Sequence, residues 1–131
     1  MPMRPLAGYP APNDVGKIDF IVDIDGPASY LKGASFALSG QQINASDFGL
    51  GGFEDVGSDM MSSDGVNVVE VVLGATTAGA TNLNPAPGPG FSGIVPTTAV
   101  LHWFTDATRG TEVTNGTNLS TKYVRLRIVA V

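Results

Sequence analysis

The side chains able to carry acid–base or nucleophilic chemistry are few and scattered. There is one histidine, His102, and no cysteine. The missing thiols exclude a disulfide scaffold, a thiolate metal site and a cysteine nucleophile. His102 stands beside Trp103 in an alternating run. A general base needs an oriented partner within hydrogen-bond reach, and no neighbour in sequence supplies one. His102 therefore reads as a packed or partly exposed structural histidine. Serines are plentiful, yet no G-x-S-x-G elbow occurs. Gly49-Leu50-Gly51-Gly52 lacks the spacing and the following helix of a phosphate loop. These residues give no reason to expect an enzyme.

Carboxylates are more numerous. Asp19, Asp23 and Asp25 fall on one face by parity, with Asp14 close by in sequence. Three carboxylates on a face could bind calcium, but Asp23-Ile24-Asp25-Gly26 lacks the further oxygen ligands of a calcium loop. A solvated charged face is the ordinary explanation, and it also covers Asp55, Asp59 and Asp64. A glycosidase pair would need an aromatic cleft, and Trp103 is the only tryptophan. Tyr9, Tyr30, Tyr123 and Trp103 could build a sugar platform, although a lone tryptophan more often belongs to a core. No metal or cofactor is expected.

The elements that would position these residues read as short strands. Seventeen Gly and nine Pro in 131 residues, with 43% hydrophobic residues, fit one β-rich domain joined by turns. The net charge is −5 and the seven Lys and Arg form no run, which argues against nucleic acid. No apolar window reaches the ~20 residues of a membrane helix. The proline-rich start has no apolar run and is not a signal peptide, so synthesis and folding in a cytosol are expected.

Residues 1–16 hold Pro2, Pro5, Pro10 and Pro12 and read as an extended, poorly paired arm. Residues 17–131 read as one domain. Lys17 to Ile24 alternates as a half-buried strand, ended by Asp25-Gly26-Pro27. Tyr30 to Leu38 reads as a weaker strand, with Gly33 at a bulge. Asn44 to Leu50 reads as a short helical turn, with Asn44 as N-cap, Gly49 past its end, and Phe48 and Leu50 pinning it to the core. Gly51 to Val56 resumes extended structure. Val66 to Leu73 is the most apolar, β-branched stretch and reads as a central strand. Residues 74–93 form a long Gly/Pro loop. Thr98 to Thr105 is a strand, Asn115-Gly116 is a hairpin signal, and Tyr123 to Val131 closes the chain in the sheet. The pattern is that of a β-sandwich or a small jelly-roll-like barrel.

Two blocks carry a resemblance. Ser35-Phe36-Ala37-Leu38-Ser39-Gly40 leads into Ile43-Asn44-Ala45-Ser46-Asp47-Phe48-Gly49-Leu50. The tail reads Glu112-Val113-Thr114-Asn115-Gly116-Thr117-Asn118-Leu119-Ser120, then Val124-Arg125-Leu126-Arg127-Ile128. Together they resemble small virion proteins of tailed bacteriophages, of the head decoration, or cement, type. The resemblance implies a capsid-surface protein, commonly trimeric, made in the host cytoplasm and bound to the major capsid protein. Pro2, Arg4, Pro5, Leu6, Tyr9, Pro10 and Pro12 of the arm, with Pro85, Pro87, Pro89 and Phe91 of the loop, are then the candidate partner-binding residues. An extended arm can add to a partner's sheet edge, and a lattice multiplies weak contacts. The alternative is a receptor- or glycan-binding module of a tail or fibre, which requires an exposed aromatic groove around Trp103.

Overall fold

A computed structural model describes residues 3–5, 11–12, 18–78 and 96–130. In chain order its strands are β1 (Met3–Pro5), β2 (Ala11–Pro12), β3 (Ile18–Asp25), β4 (Gln41–Asn44), β5 (Phe53–Ser58), β6 (Val68–Leu73), β7 (Thr98–Phe104) and β8 (Tyr123–Ala130). Two 3-10 turns, Phe36–Leu38 and Ala45–Phe48, complete the set. The strands make two antiparallel sheets. One has the order β1-β3-β8-β5, with β2 also on β3; the other is β4-β7-β6. The chain is all-β, as its turn-rich composition implied, and the sheets pack as a β-sandwich.

Parity builds the core. In the β3–β8 ladder Phe20 faces Ile128, Val22 faces Leu126 and Ile24 faces Val124. All six are buried, and they meet Ala99, Leu101 and Trp103 of β7, together with Ile43, Phe53 and Val69. The intervening positions of β3 and β8 carry the charges, because successive strand residues point to opposite faces.

Ala45–Phe48 forms where the sequence placed a turn. Its N-cap Asn44 donates its backbone N–H to Asp47 Oδ2 at 2.9 Å, and Gly49 ends it in the left-handed region at φ 72°. Phe48 packs between Phe20 and Phe53, with ring centroids 6.0 and 6.1 Å away, and Leu50 lies against the same core.

Four expectations need correction. Tyr30 to Leu38 is not a strand. Gly33 is folded so tightly onto Leu38 that a Cβ there would come within 2.6 Å of the Leu38 carbonyl oxygen. The Gly40 N–H closes this loop on the Leu31 carbonyl at 2.8 Å. Val68–Leu73 is an edge strand, not a central one; β7 is the middle of its sheet, and all seven of its residues are buried. The apolar run of β6 misleads because Glu70 interrupts it and only Val68 and Val69 are buried, the other four residues being partly covered. Asn115-Gly116 is a turn, but no hairpin of strands flanks it; it lies in the connection between β7 and β8. The composition of the arm implies poor pairing, yet Met3–Pro5 and Ala11–Pro12 both pair antiparallel with β3. β4 carries no strand signal of its own, since Gln41, Gln42 and Asn44 leave Ile43 as its one apolar residue.

Gly40 and Gly49 separate steric from conformational need. At Gly40, φ is 117° and a Cβ would lie 2.2 Å from Val100 Cγ1, whereas the space around Gly49 is open. Gly40→Ala should therefore cost roughly 2–4 kcal/mol, combining overpacking with backbone strain. Gly49→Ala should cost only about 1 kcal/mol, from strain alone. Denaturant unfolding of the two variants checks the difference.

Candidate functional site

The residues with the greatest chemical capacity meet beside β7. His102 and Trp103 are successive residues of this strand, so their side chains leave by opposite faces. Trp103 enters the core and is fully buried. Its indole N–H donates to Gln41 Oε1 at 3.0 Å, and the Gln41 amide donates to the Asp25 carbonyl at 2.8 Å. One glutamine thus links the two sheets through buried polar atoms.

On the other face His102 is 2% exposed, and its Nδ1 lies 3.2 Å from Glu112 Oε2. The same carboxylate oxygen accepts the Tyr30 hydroxyl at 2.5 Å. The Tyr30 oxygen in turn accepts the Trp103 backbone N–H at 3.1 Å. Phe36 stacks on the imidazole, with centroids 3.6 Å apart and planes at 15°. Burial, and next the hydrogen bond to Glu112, push the Tyr30 phenol far above its usual range. The sequence reading of His102 as packed agrees with this position. What that reading missed is the oriented partner, supplied from residues 72 and 10 positions away.

A histidine held by a carboxylate is half of a general-base arrangement. Here Phe36 covers the ring face and the Glu112 side chain is only 6% exposed. The arrangement joins a strand to two loops, and both members of the His102–Glu112 pair are nearly inaccessible to solvent among the described residues. A continuation of the β3–β8 ladder reinforces it. Gly26 N–H donates to the Lys122 carbonyl, Leu119 N–H to that of Pro27, Tyr30 N–H to that of Thr117 and Gly116 N–H to that of Tyr30, all at 2.7–2.9 Å.

The carboxylates singled out by parity are answered by arginines of the neighbouring strand. Asp23 faces Arg125 in register and accepts its Nε at 3.1 Å, while Asp19 takes Arg127 at 2.5 and 3.0 Å. Asp25 lies in register with Tyr123. Among the described residues no group of three or more His, Cys, Asp or Glu is arranged to hold a metal ion. Asp64 sits in a separate cluster. The Ser62 hydroxyl and then Lys122 hold its carboxyl down at about 2, and Lys122 Nζ also reaches Asn67 Oδ1 at 2.5 Å.

The aromatic platform does not form. Trp103 and Tyr30 are both fully buried, so neither can stack on a sugar. The exposed large apolar residues include Leu31, Phe36 and Leu38 of the loop after β3, with Met60 and Val66 near β6. A groove between β5 and β6 is lined by Val56, Ser58, Met60, Val69 and Val71, and its one charged group, Glu70, pairs with Arg109 at 2.6 Å. Of the proposed partner-binding residues, Arg4, Pro5 and Pro12 belong to the short strands along β3. Pro2, Leu6, Tyr9, Pro10, Pro85, Pro87, Pro89 and Phe91 lie outside the described residues.

The chain matches no protein-family model, no curated protein and no solved structure.

Two outcomes follow from the buried cluster. Glu112→Ala should cost about 2–4 kcal/mol in denaturant unfolding, since it strands the Tyr30 hydroxyl and the His102 Nδ1 in the interior. The raised phenol also fixes the alkaline limb of stability. Below the unfolded tyrosine value near 10, Tyr30 is protonated in both states and its contribution is complete. Above it the unfolded chain has lost a proton that the folded chain keeps, so stability falls as pH rises. Unfolding free energies measured across that range should decline for the native chain, with a shallower slope in Tyr30→Phe.

Proposed function

We propose that this chain is a phage virion structural protein that decorates the outside of the head shell, binding the major capsid protein and stabilising the lattice without catalysis. The observation that carries the reading is where the two resembling blocks fall. Residues 35–50 contain the Phe36 cover and the capped turn that Phe48 seats on the core. Residues 112–120 contain Glu112 and the loop bonded to residues 27–32. The residues that carry the resemblance are framework, which is the part a family of shell-binding modules would hold in common while surfaces adapt to different lattices.

Two further features fit. The acid–base residues His102, Glu112 and Tyr30 are consumed in buried bonds. Segments of the N-terminal arm already pair along a sheet edge, the mode by which an extended strand would join a neighbouring subunit. The buried Trp103 removes the feature on which a glycan-binding reading depended.

The test is quantitative mass spectrometry of purified virions, counting this chain against the major capsid protein. Decoration of the shell predicts a ratio on the order of one, since bound copies repeat with the lattice. A few copies per hundred would move the protein to the tail and overturn the head assignment, and its absence from virions would overturn the virion reading altogether. A trimer in light scattering of the isolated chain is the accompanying expectation.

A further inference from the structure

Asparagine followed by glycine is the dipeptide most prone to deamidation, because glycine offers no side chain to hinder its own backbone nitrogen. That nitrogen attacks the asparagine side-chain carbonyl carbon. An N–C bond forms, ammonia leaves, and the succinimide opens with water to aspartate or isoaspartate. Asn115-Gly116 is such a pair on an exposed turn. By composition and exposure it should react readily.

Its surroundings hold the reacting groups away from the geometry that ring closure needs. The attacking nitrogen belongs to Gly116, whose N–H donates to the Tyr30 carbonyl at 2.7 Å. The Asn115 side-chain oxygen accepts the Lys32 N–H at 3.0 Å. The turn is also closed, since the Thr117 N–H reaches the Thr114 carbonyl at 3.2 Å and Gly116 has φ 83°. A positive φ at the third residue with that closing bond defines a type II turn, in which Asn115 is extended. Forming the five-membered ring requires Asn115 to leave this conformation, the Gly116 nitrogen to leave Tyr30 and the Asn115 amide to leave Lys32. Both partners, Tyr30 and Lys32, lie on the loop after β3, and the Tyr30 side chain is anchored on Glu112 and Trp103.

We infer that Asn115 is a latent deamidation site, closed while the 27–33 loop is docked on the 114–119 turn and opened when that loop lifts away. The modification then marks molecules whose loop has opened. Isoaspartate at 115 lengthens the main chain by one methylene, which is incompatible with the bonds that Tyr30 and Lys32 make to the original turn. An opened molecule that reacts to isoaspartate loses the route back to the docked loop, whereas the aspartate product keeps an oxygen for the Lys32 N–H.

The experiment compares three samples of the full chain at mildly alkaline pH and 37 °C: folded, held unfolded in guanidinium, and folded Lys32→Pro. The readout is the +1 Da product at residue 115, resolved into aspartate and isoaspartate by peptide mapping. Lys32→Pro removes the backbone donor that, among the described residues, holds the Asn115 amide, and its fold is checked by near-ultraviolet dichroism. The folded chain should react at least about tenfold more slowly than the unfolded chain, because the required opening is an unfavourable local equilibrium. Lys32→Pro should react several-fold faster than the native fold, because the Asn115 amide loses its restraint. Should the variant not fold, the folded-to-unfolded ratio decides alone. Equal rates in the folded and unfolded chains would overturn the inference, as would no reaction at Asn115 in either.

Discussion

The architecture depends on one buried carboxylate oxygen. Glu112 Oε2 takes the hydroxyl of Tyr30 and lies against the Nδ1 of His102, in a place where neither side chain has access to water. Withdrawing a carboxylate from solvent is costly unless hydrogen bonds replace the lost hydration. Here the replacements come from a strand and from a loop distant in sequence, so satisfying the carboxylate fixes their mutual position. The Trp103 backbone N–H, pointed at the Tyr30 oxygen, completes a chain of donors and acceptors with no loose end among the described residues. The same interaction explains why β7 is buried on both faces. Its inner side chains belong to the core, and its outer histidine is sealed by Phe36 and by the loops that Glu112 and Tyr30 hold together.

Around this centre the sheets follow ordinary strand physics. The β3–β8 ladder directs valine, leucine and isoleucine inward, and on its outer face it sets aspartates beside arginines. The exposed Asp19–Arg127 pair contributes little to stability, whereas the Asp23 carboxylate is buried and Arg125 compensates its charge. Together they fix register, because a one-residue slip would exchange the charged and apolar faces. The molecule therefore keeps its specificity in two places, a charged ladder outside and a polar cluster beside the core. The side chains of His102, Glu112 and Tyr30 are spent on cohesion.

Much of the fold was legible because it rests on short-range pattern. The alternation in β3 and β8, the Asn44 cap and the Gly49 stop are local signals, and the corresponding elements stand where those signals place them. The failures share a cause. β4 is stabilised by pairing with β7 and by the Gln41 bridge to Trp103, and neither appears in its own polar sequence. The rank of β6 and β7 within their sheet depends on what covers each strand's outer face, which composition cannot state. The Tyr30 to Leu38 segment has strand-like residues, yet the tight approach of Gly33 to Leu38 and the tether to residues 115–119 make it a loop. The Tyr30–Glu112–His102 cluster was invisible for the same reason, since its members stand up to 82 residues apart. The one available hint was the position of Glu112 at the head of a turn-rich block, and a turn motif alone does not announce a buried carboxylate.

The claim that these three residues act as a single unit is tested most directly by a double-mutant cycle between Tyr30→Phe and Glu112→Gln, read in unfolding free energy. Cooperative hydrogen bonding through one oxygen predicts a coupling of about 1 kcal/mol or more, so that the double variant is appreciably less destabilised than the sum of the single ones. Additivity within a few tenths of a kcal/mol would contradict the account. It would mean that Tyr30 and Glu112 are held in place independently and that their proximity is a consequence of the fold.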